Sequence, residues 1–90
     1  MREIKFTAPY RRDLKRLKRQ GKNFDVMRKI IQLLETDETI PANFQDHALK
    51  GRWKGHREMH LESDWLLIYR VTRDVIYLER SGSHSELLNR

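Results

Sequence analysis

Histidine is concentrated in two short segments of this chain, HREMHLESDW at residues 56–65 and ERSGSH at residues 79–84. The side chains in them that could take part in chemistry are His56, His60, Asp64, Arg80 and His84. Imidazole gains and loses protons near neutral pH because its unperturbed pKa is about 6.5. The two segments therefore combine residue types that suit general acid–base catalysis.

Cleavage of RNA is one reaction that such groups can catalyse. It needs a base for the 2′-hydroxyl proton, an acid for the leaving 5′-oxygen, and a cation beside the phosphorus. His60, Asp64 and His84 can supply the acid and the base, and Arg80 can supply the cation. A simpler interpretation is also open, because a histidine at a strand end is more often a surface group, and an aspartate there often ends a turn.

The HREMH sequence resembles a zinc-protease motif only superficially. That motif requires a glutamate directly after the first histidine, on a helix. Arg57 occupies that position, and the alternating pattern predicts a strand, in which residues four apart lie about 13 Å apart along the chain. The chain also lacks cysteine, so no thiolate ligand is available. We therefore expect no metal ion and no other cofactor.

Composition limits the remaining functions. Ninety residues predict a single domain, residues 1–90, with room for one modest core. Nineteen Lys and Arg against thirteen Asp and Glu give a net charge of +6, which attracts polyanions such as nucleic acid. No apolar run approaches the ~20 residues of a membrane span, and the absence of cysteine suits a reducing compartment. We expect a cytoplasmic protein with no membrane partner.

Periodicity predicts the elements that position these groups. Residues 2–7 alternate as a short strand, and Thr7 caps a first helix that ends at Gly21. A second helix begins near Asn23. The apolar residues that recur at helical spacing in the two helices are Tyr10, Leu14, Leu17, Met27, Ile30, Ile31 and Leu34.

The C-terminal half changes to the two-residue period of strands. After a long connection at residues 36–53, Met59 and Leu61 alternate with polar neighbours, and residues 65–71 are apolar on both faces. A tight turn leads into another strand at residues 75–81. The predicted fold is α+β, with the N-terminal strand and two helices packed on one face of a twisted antiparallel sheet. The opposite face is expected to be wet or to bind a ligand.

Residues 46–88 carry four motifs in a fixed order, namely DH-x-L-x-G-x-W-K-G, R-x-x-H-x-E-x-DW, LIY and ER-[ST]-G-[ST]-H. In these motifs the chain resembles the YafQ branch of the RelE superfamily of toxin endoribonucleases. The resemblance implies a RelE-like, microbial-ribonuclease-like sheet and an mRNA interferase that cuts translated mRNA in the ribosomal A site without metal. It also implies binding to ribosomal RNA and a cognate antitoxin, with a monomeric free toxin and a higher-order complex with the antitoxin.

The resemblance implies particular site residues. Carried over by position, the catalytic set is His47, His60, Asp64, Arg80 and His84. We expect His84 to be the general acid and Arg80 to face the scissile phosphate, whereas the base is either Asp64 or His60.

Three further residues, Trp65, Lys54 and Leu88, are implied to bind substrate. Leu88 stands where the family commonly has an aromatic residue, and a leucine cannot stack on a base. If the first helix binds ribosomal RNA, its polar face supplies Arg11, Arg12, Lys15, Arg16, Lys18 and Arg19.

Two other functions fit the same residues. One is a non-catalytic RNA-binding or ribosome-binding module that kept the fold, and the other is a protein-interaction domain whose basic face binds an acidic partner. In the non-catalytic module His84→Ala would be silent, whereas in the enzyme it would abolish cleavage.

Overall fold

A computed structural model describes residues 1–87. In chain order its elements are β1 (Glu3–Phe6), α1 (Ala8–Arg19), α2 (Asp25–Glu35), β2 (His47–Ala48), β3 (Arg57–Glu62), β4 (Trp65–Val71), β5 (Val75–Gly82) and α3 (His84–Leu87). The predicted α+β order is confirmed. The sequence missed β2 and α3, because elements of two and four residues are too short to show a period.

The five strands form one sheet in the order β1-β5-β4-β3-β2. Strands β3 to β5 pair antiparallel, as predicted, and β2 joins them antiparallel, but β1 pairs with β5 in parallel, with Ile4 opposite Ile76. The prediction of a purely antiparallel sheet is therefore wrong at one edge. A parallel pair needs a long crossover connection, and the whole chain between β1 and β5 supplies it.

The two long helices begin differently, and both bury the predicted stripes. Thr7 caps α1, and its Oγ1 accepts a hydrogen bond from the Tyr10 N–H at 3.2 Å. The N-cap of α2 is Phe24, and the residue before it, Asn23, accepts from the Asp25 N–H at 2.9 Å through Oδ1. The helix residues buried in the main core are Tyr10, Leu17, Met27, Ile30 and Leu34. They pack with buried strand residues that include Met59, Leu67, Tyr69, Ile76 and Leu78.

The opposite face of the sheet is covered in part. Leu66 and Ile68 of β4 form a small second core with Leu87 of α3, and Leu49 and Trp53 of the connection pack against it. The expectation of a wholly open face is wrong here, because α3 and the connection before β3 bury two apolar residues that no long helix reaches. The polar side chains around this second core form the candidate site. Within residues 1–87, no helix is long and apolar enough to span a membrane.

Candidate active site

Three histidines line up on the second face of the sheet. The ring centres of His47 and His60 are 6.3 Å apart, and those of His60 and His84 are 5.6 Å apart. We call these three residues the histidine row. Strand register places the first two, because His47 lies opposite Glu58 and His60 follows Glu58 by two positions on the same face. His84 is the first residue of α3. The fourth histidine, His56, lies outside the row, with its ring packed on Trp53 at 5.2 Å.

Asp64 fixes the orientation of His84. It lies in the turn between β3 and β4, and its Oδ1 accepts a hydrogen bond from the His84 backbone N–H at 3.0 Å. The same oxygen is 2.8 Å from His84 Nδ1. Hydrogen bonds from the backbone and then from the ring of His84 lower the pKa of Asp64, so the carboxylate is ionised. An ionised acceptor assigns the proton to Nδ1 and keeps Nε2 out of this contact.

Glu58 holds the other end of the histidine row. Its side chain is only 6% exposed, and its Oε1 lies 3.3 Å from His47 Nε2 and 3.8 Å from His60 Nε2. On the other side of the His47 ring, Nδ1 lies 2.6 Å from the Gln45 carbonyl oxygen. Both nitrogens of His47 thus face acceptors, which orients the ring. Sequence reasoning missed Glu58, although its spacing from His60 places the two on one strand face.

Arg80 is held by a buried carboxylate on α1. Its Nε donates to Asp13 Oδ2 at 2.7 Å and its Nη2 donates to Asp13 Oδ1 at 3.1 Å. Asp13 also accepts from Arg16 Nη1 at 2.8 Å and from the Ser81 N–H at 2.9 Å. Burial raises the pKa of Asp13, but the hydrogen bonds from Arg80, Ser81 and Arg16 lower it overall. Arg80 is therefore a fixed cation, and within residues 1–87 its Nη1 makes no hydrogen bond.

The predicted substrate-binding residues have different positions. Trp65 is fully buried in the main core, where its Nε1 donates to Ser81 Oγ at 2.9 Å and its ring packs on Phe24. The prediction that Trp65 contacts substrate is wrong in this structure, because its side chain has no exposed surface. Lys54 is exposed in the connection before β3, and its role stays a prediction. Leu88 lies outside the described residues.

Comparison with known proteins identifies the family. The sequence matches, over residues 2–89, the family described as a bacterial toxin of type II toxin-antitoxin system, YafQ. The chain belongs to the YafQ toxin family. Its similarity to the mRNA interferase toxin YafQ of Escherichia coli K12 is 36% identity over 87 residues, which covers 96% of this chain and 95% of that protein.

Solved YafQ-type structures share the whole fold. A copper-bound mutant toxin from Helicobacter pylori superposes with a TM-score of 0.92 at 39% identity, covering 97% of this chain and 99% of that one. The YafQ chain of the E. coli DinJ-YafQ complex superposes with a TM-score of 0.88 at 33% identity, covering 97% and 98%. The fold predicted from the resemblance is therefore confirmed.

The candidate site contains side chains of types that can bind metal ions. Within residues 1–87, no three side chains of His, Cys, Asp or Glu are arranged so that they could share a metal ion.

Proposed function

We propose that this protein is a ribosome-dependent endoribonuclease toxin that cleaves translated mRNA by metal-free acid–base catalysis. Membership of the YafQ family supports the assignment as a toxin, and the E. coli relative named an mRNA interferase supports the class of reaction. The observation that carries the proposal is the histidine row, in which one ring is held by the ionised Asp64. The ribosome places the site of action in the cytoplasm.

His84 is the general acid in this mechanism. Ionised Asp64 fixes the Nδ1 proton and stabilises the positive charge of the protonated ring. The Nε2 proton then passes to the 5′-oxygen as the bond between phosphorus and that oxygen breaks. A nucleophile or acid oriented by a third group is the usual arrangement in enzymes that use histidine.

His60 is the general base. Asp64 was the other candidate. Its Oδ1 already contacts the backbone N–H and the ring of His84, so Asp64 serves to orient His84. His60 takes the 2′-hydroxyl proton, and the 2′-oxygen then bonds to phosphorus to give a 2′,3′-cyclic phosphate and a free 5′-hydroxyl. Acid and base must each come within about 3 Å of their own oxygen. A separation of 5.6 Å between the two ring centres lets both reach one phosphodiester.

His47 and Arg80 stabilise the negative charge that develops on the phosphoryl oxygens. His47 is oriented between Glu58 and the Gln45 carbonyl, and Arg80 is fixed by Asp13. Fixed cations stabilise a developing charge strongly because they need no reorganisation during the reaction.

The basic side of the molecule binds ribosomal RNA near the A site. The exposed cations of α1 are Arg11, Arg12, Lys15, Lys18 and Arg19. Neutralising several phosphates gives strong, salt-sensitive binding. Because the E. coli relative was crystallised with DinJ, we propose that a cognate antitoxin neutralises this toxin in a higher-order complex and that the free toxin is monomeric.

Primer extension on a translated message tests this function, with His84→Ala beside His56→Ala as the matched control. We expect cleavage by wild-type and His56→Ala toxin that has been treated with EDTA and desalted before it is added to ribosomes, and only a small residual rate with His84→Ala. A wild-type rate in His84→Ala would refute the assigned acid, and toxin activity that is lost after this treatment but restored by adding back a divalent transition metal would refute the metal-free chemistry. An intact message with normal ribosome binding would identify the non-catalytic module instead.

A further inference from the structure

The turn that carries His84 is tied to α1 by one arginine. Arg16 Nη1 donates to Asp13 at 2.8 Å, and Nη2 donates to the Ser81 carbonyl at 2.8 Å. Its Nε lies 3.0 Å from Glu86 Oε2. A single side chain therefore joins α1, the end of β5 and α3. From the sequence, Arg16 was expected only on the polar face of α1 as one of the residues that would bind ribosomal RNA, and Glu86 was given no role.

Glu86 also closes the turn around His84. Its Oε1 accepts from the Ser83 N–H at 2.9 Å, while Ser83 Oγ accepts from the Glu86 N–H at 3.2 Å. This reciprocal pair is a capping box, and His84 is the first residue inside it. Gln20 at the end of α1 donates to Glu86 Oε2 at 3.0 Å. Contacts led by the Ser83 N–H lower the pKa of Glu86, so it faces Arg16 as an ionised group.

The chain passes very close to this ion pair just before His84. A Cβ added at Gly82 would lie 2.4 Å from Arg16 Nη2 and 2.8 Å from Glu86 Oε1. Both distances are shorter than real Cβ contacts allow, so a side chain here would push the ion pair apart. The absence of a side chain at Gly82 lets the two charged groups close over the backbone.

We propose that Arg16 and Glu86 are positioning residues for His84. They fix the backbone of residues 81–86, and this sets both the N–H and the ring of His84 against Asp64 at 3.0 and 2.8 Å. A shift of the turn by about 1 Å breaks both contacts at once, and a misplacement of this size can lower an enzymatic rate by as much as about 100-fold. The catalytic consequence rests on the proposed function, whereas the positioning itself does not.

Two variants isolate the ion pair. Glu86→Gln keeps a residue that can complete the capping box but removes the charge that faces Arg16. Arg16→Lys keeps the positive charge but cannot make all three contacts. The control is Arg28→Ala, which breaks a 2.7 Å bridge to Asp25 on α2.

NMR tests the positioning without any activity measurement. In Glu86→Gln we expect the pKa of Asp64, followed by its carboxyl carbon, to rise toward its ordinary value, because hydrogen bonds from His84 are what lower it. We also expect faster hydrogen exchange at the His84 amide. Arg28→Ala should leave both unchanged. Wild-type values of both in Glu86→Gln and Arg16→Lys would overturn the proposal.

Single-turnover cleavage of ribosome-bound mRNA tests the catalytic consequence. We expect the maximal rate of Glu86→Gln to fall about 10- to 100-fold, while the half-saturating toxin concentration stays at its wild-type value. The maximal rate of Arg16→Lys should lie between those of the wild type and Glu86→Gln. An unchanged maximal rate with a higher half-saturating concentration would overturn the positioning role, because it would assign the residues to ribosome binding. An active His84→Ala would refute the proposed function and leave the NMR result to decide the positioning.

Discussion

The two ends of the histidine row are held by carboxylates in opposite environments. Asp64 is 66% exposed and places one oxygen against both the backbone and the ring of His84. Glu58 is 6% exposed, and one of its oxygens faces two histidines while the other has no hydrogen-bond partner within residues 1–87. At the exposed end Asp64 fixes which ring nitrogen of His84 carries a proton, whereas at the buried end Glu58 faces both His47 and His60.

This difference explains how three similar rings take different roles. An exposed carboxylate costs little to ionise, and Asp64 holds His84 through two contacts to one oxygen. Burying a carboxylate costs more, and Glu58 places one oxygen between two histidines. The two carboxylates thus orient His84 at one end of the row and His47 at the other.

The largest effect is expected at the exposed end. Asp64→Asn keeps a side-chain oxygen but loses the negative charge, so His84 is no longer held protonated for the leaving oxygen. We expect cleavage of translated mRNA to fall more than about 100-fold, with the midpoint of thermal unfolding unchanged. The control is Glu62→Gln, which alters an exposed carboxylate two residues earlier that pairs with Lys22 at 3.6 Å. Equal losses in both variants would contradict a special role for Asp64.

Asp13 lies outside the histidine row and holds Arg80, one of the proposed catalytic residues. Asp13→Asn leaves Arg80 and Arg16 without their buried carboxylate partner. Both arginines are about a quarter exposed, so solvent screens part of this cost, and we expect a loss of about 2–4 kcal/mol in unfolding free energy. The folded pKa of Asp13 is lowered, so its stabilisation is present above the unfolded value of about 3.9 and disappears as the pH falls through the folded pKa. Urea unfolding should therefore separate wild type and variant by more at pH 7 than at pH 3. A constant difference at both pH values would contradict this.

A smaller effect is expected at the buried end. Glu58→Gln leaves His47 in place but replaces the carboxylate that its Nε2 faces, so we expect cleavage to fall about 10- to 100-fold, less than in Asp64→Asn. Thermal unfolding should shift by less than about 5 °C because a costly buried charge is removed. The matched control is Glu79→Gln, since Glu79 pairs with His56 outside the row at 3.5 Å. A Glu58→Gln variant as active as this control would show that the two ends do not differ as proposed.

Local patterns predicted the elements that bury apolar residues in long repeats. The stripes of α1 and α2 and the alternation in β3 gave correct elements, because each repeat decides which face a side chain occupies. The alternation also placed His60 on the face away from the main core. His84 was also singled out from residue chemistry, and the family motifs then added His47, which the strand register brings close to His60.

The remaining features depend on contacts between residues far apart in the chain. Asp13 meets Arg80 across 67 positions, and the parallel pairing of β1 with β5 has no local signature. One signal was nevertheless present, because Asp13 lies three residues after Tyr10 and four before Leu17, on the apolar stripe of α1. Trp65 was misassigned because a motif position does not reveal whether a side chain faces the core.

The dependence of cleavage rate on pH tests most directly whether His84 and another group of the row act as acid and base. Single-turnover cleavage by the wild type should follow a bell-shaped curve, because it needs one protonated and one neutral group. In His84→Ala the small residual rate should keep rising with pH, since the acid that causes the alkaline decline has been removed. A bell of unchanged shape and height in His84→Ala would contradict the account.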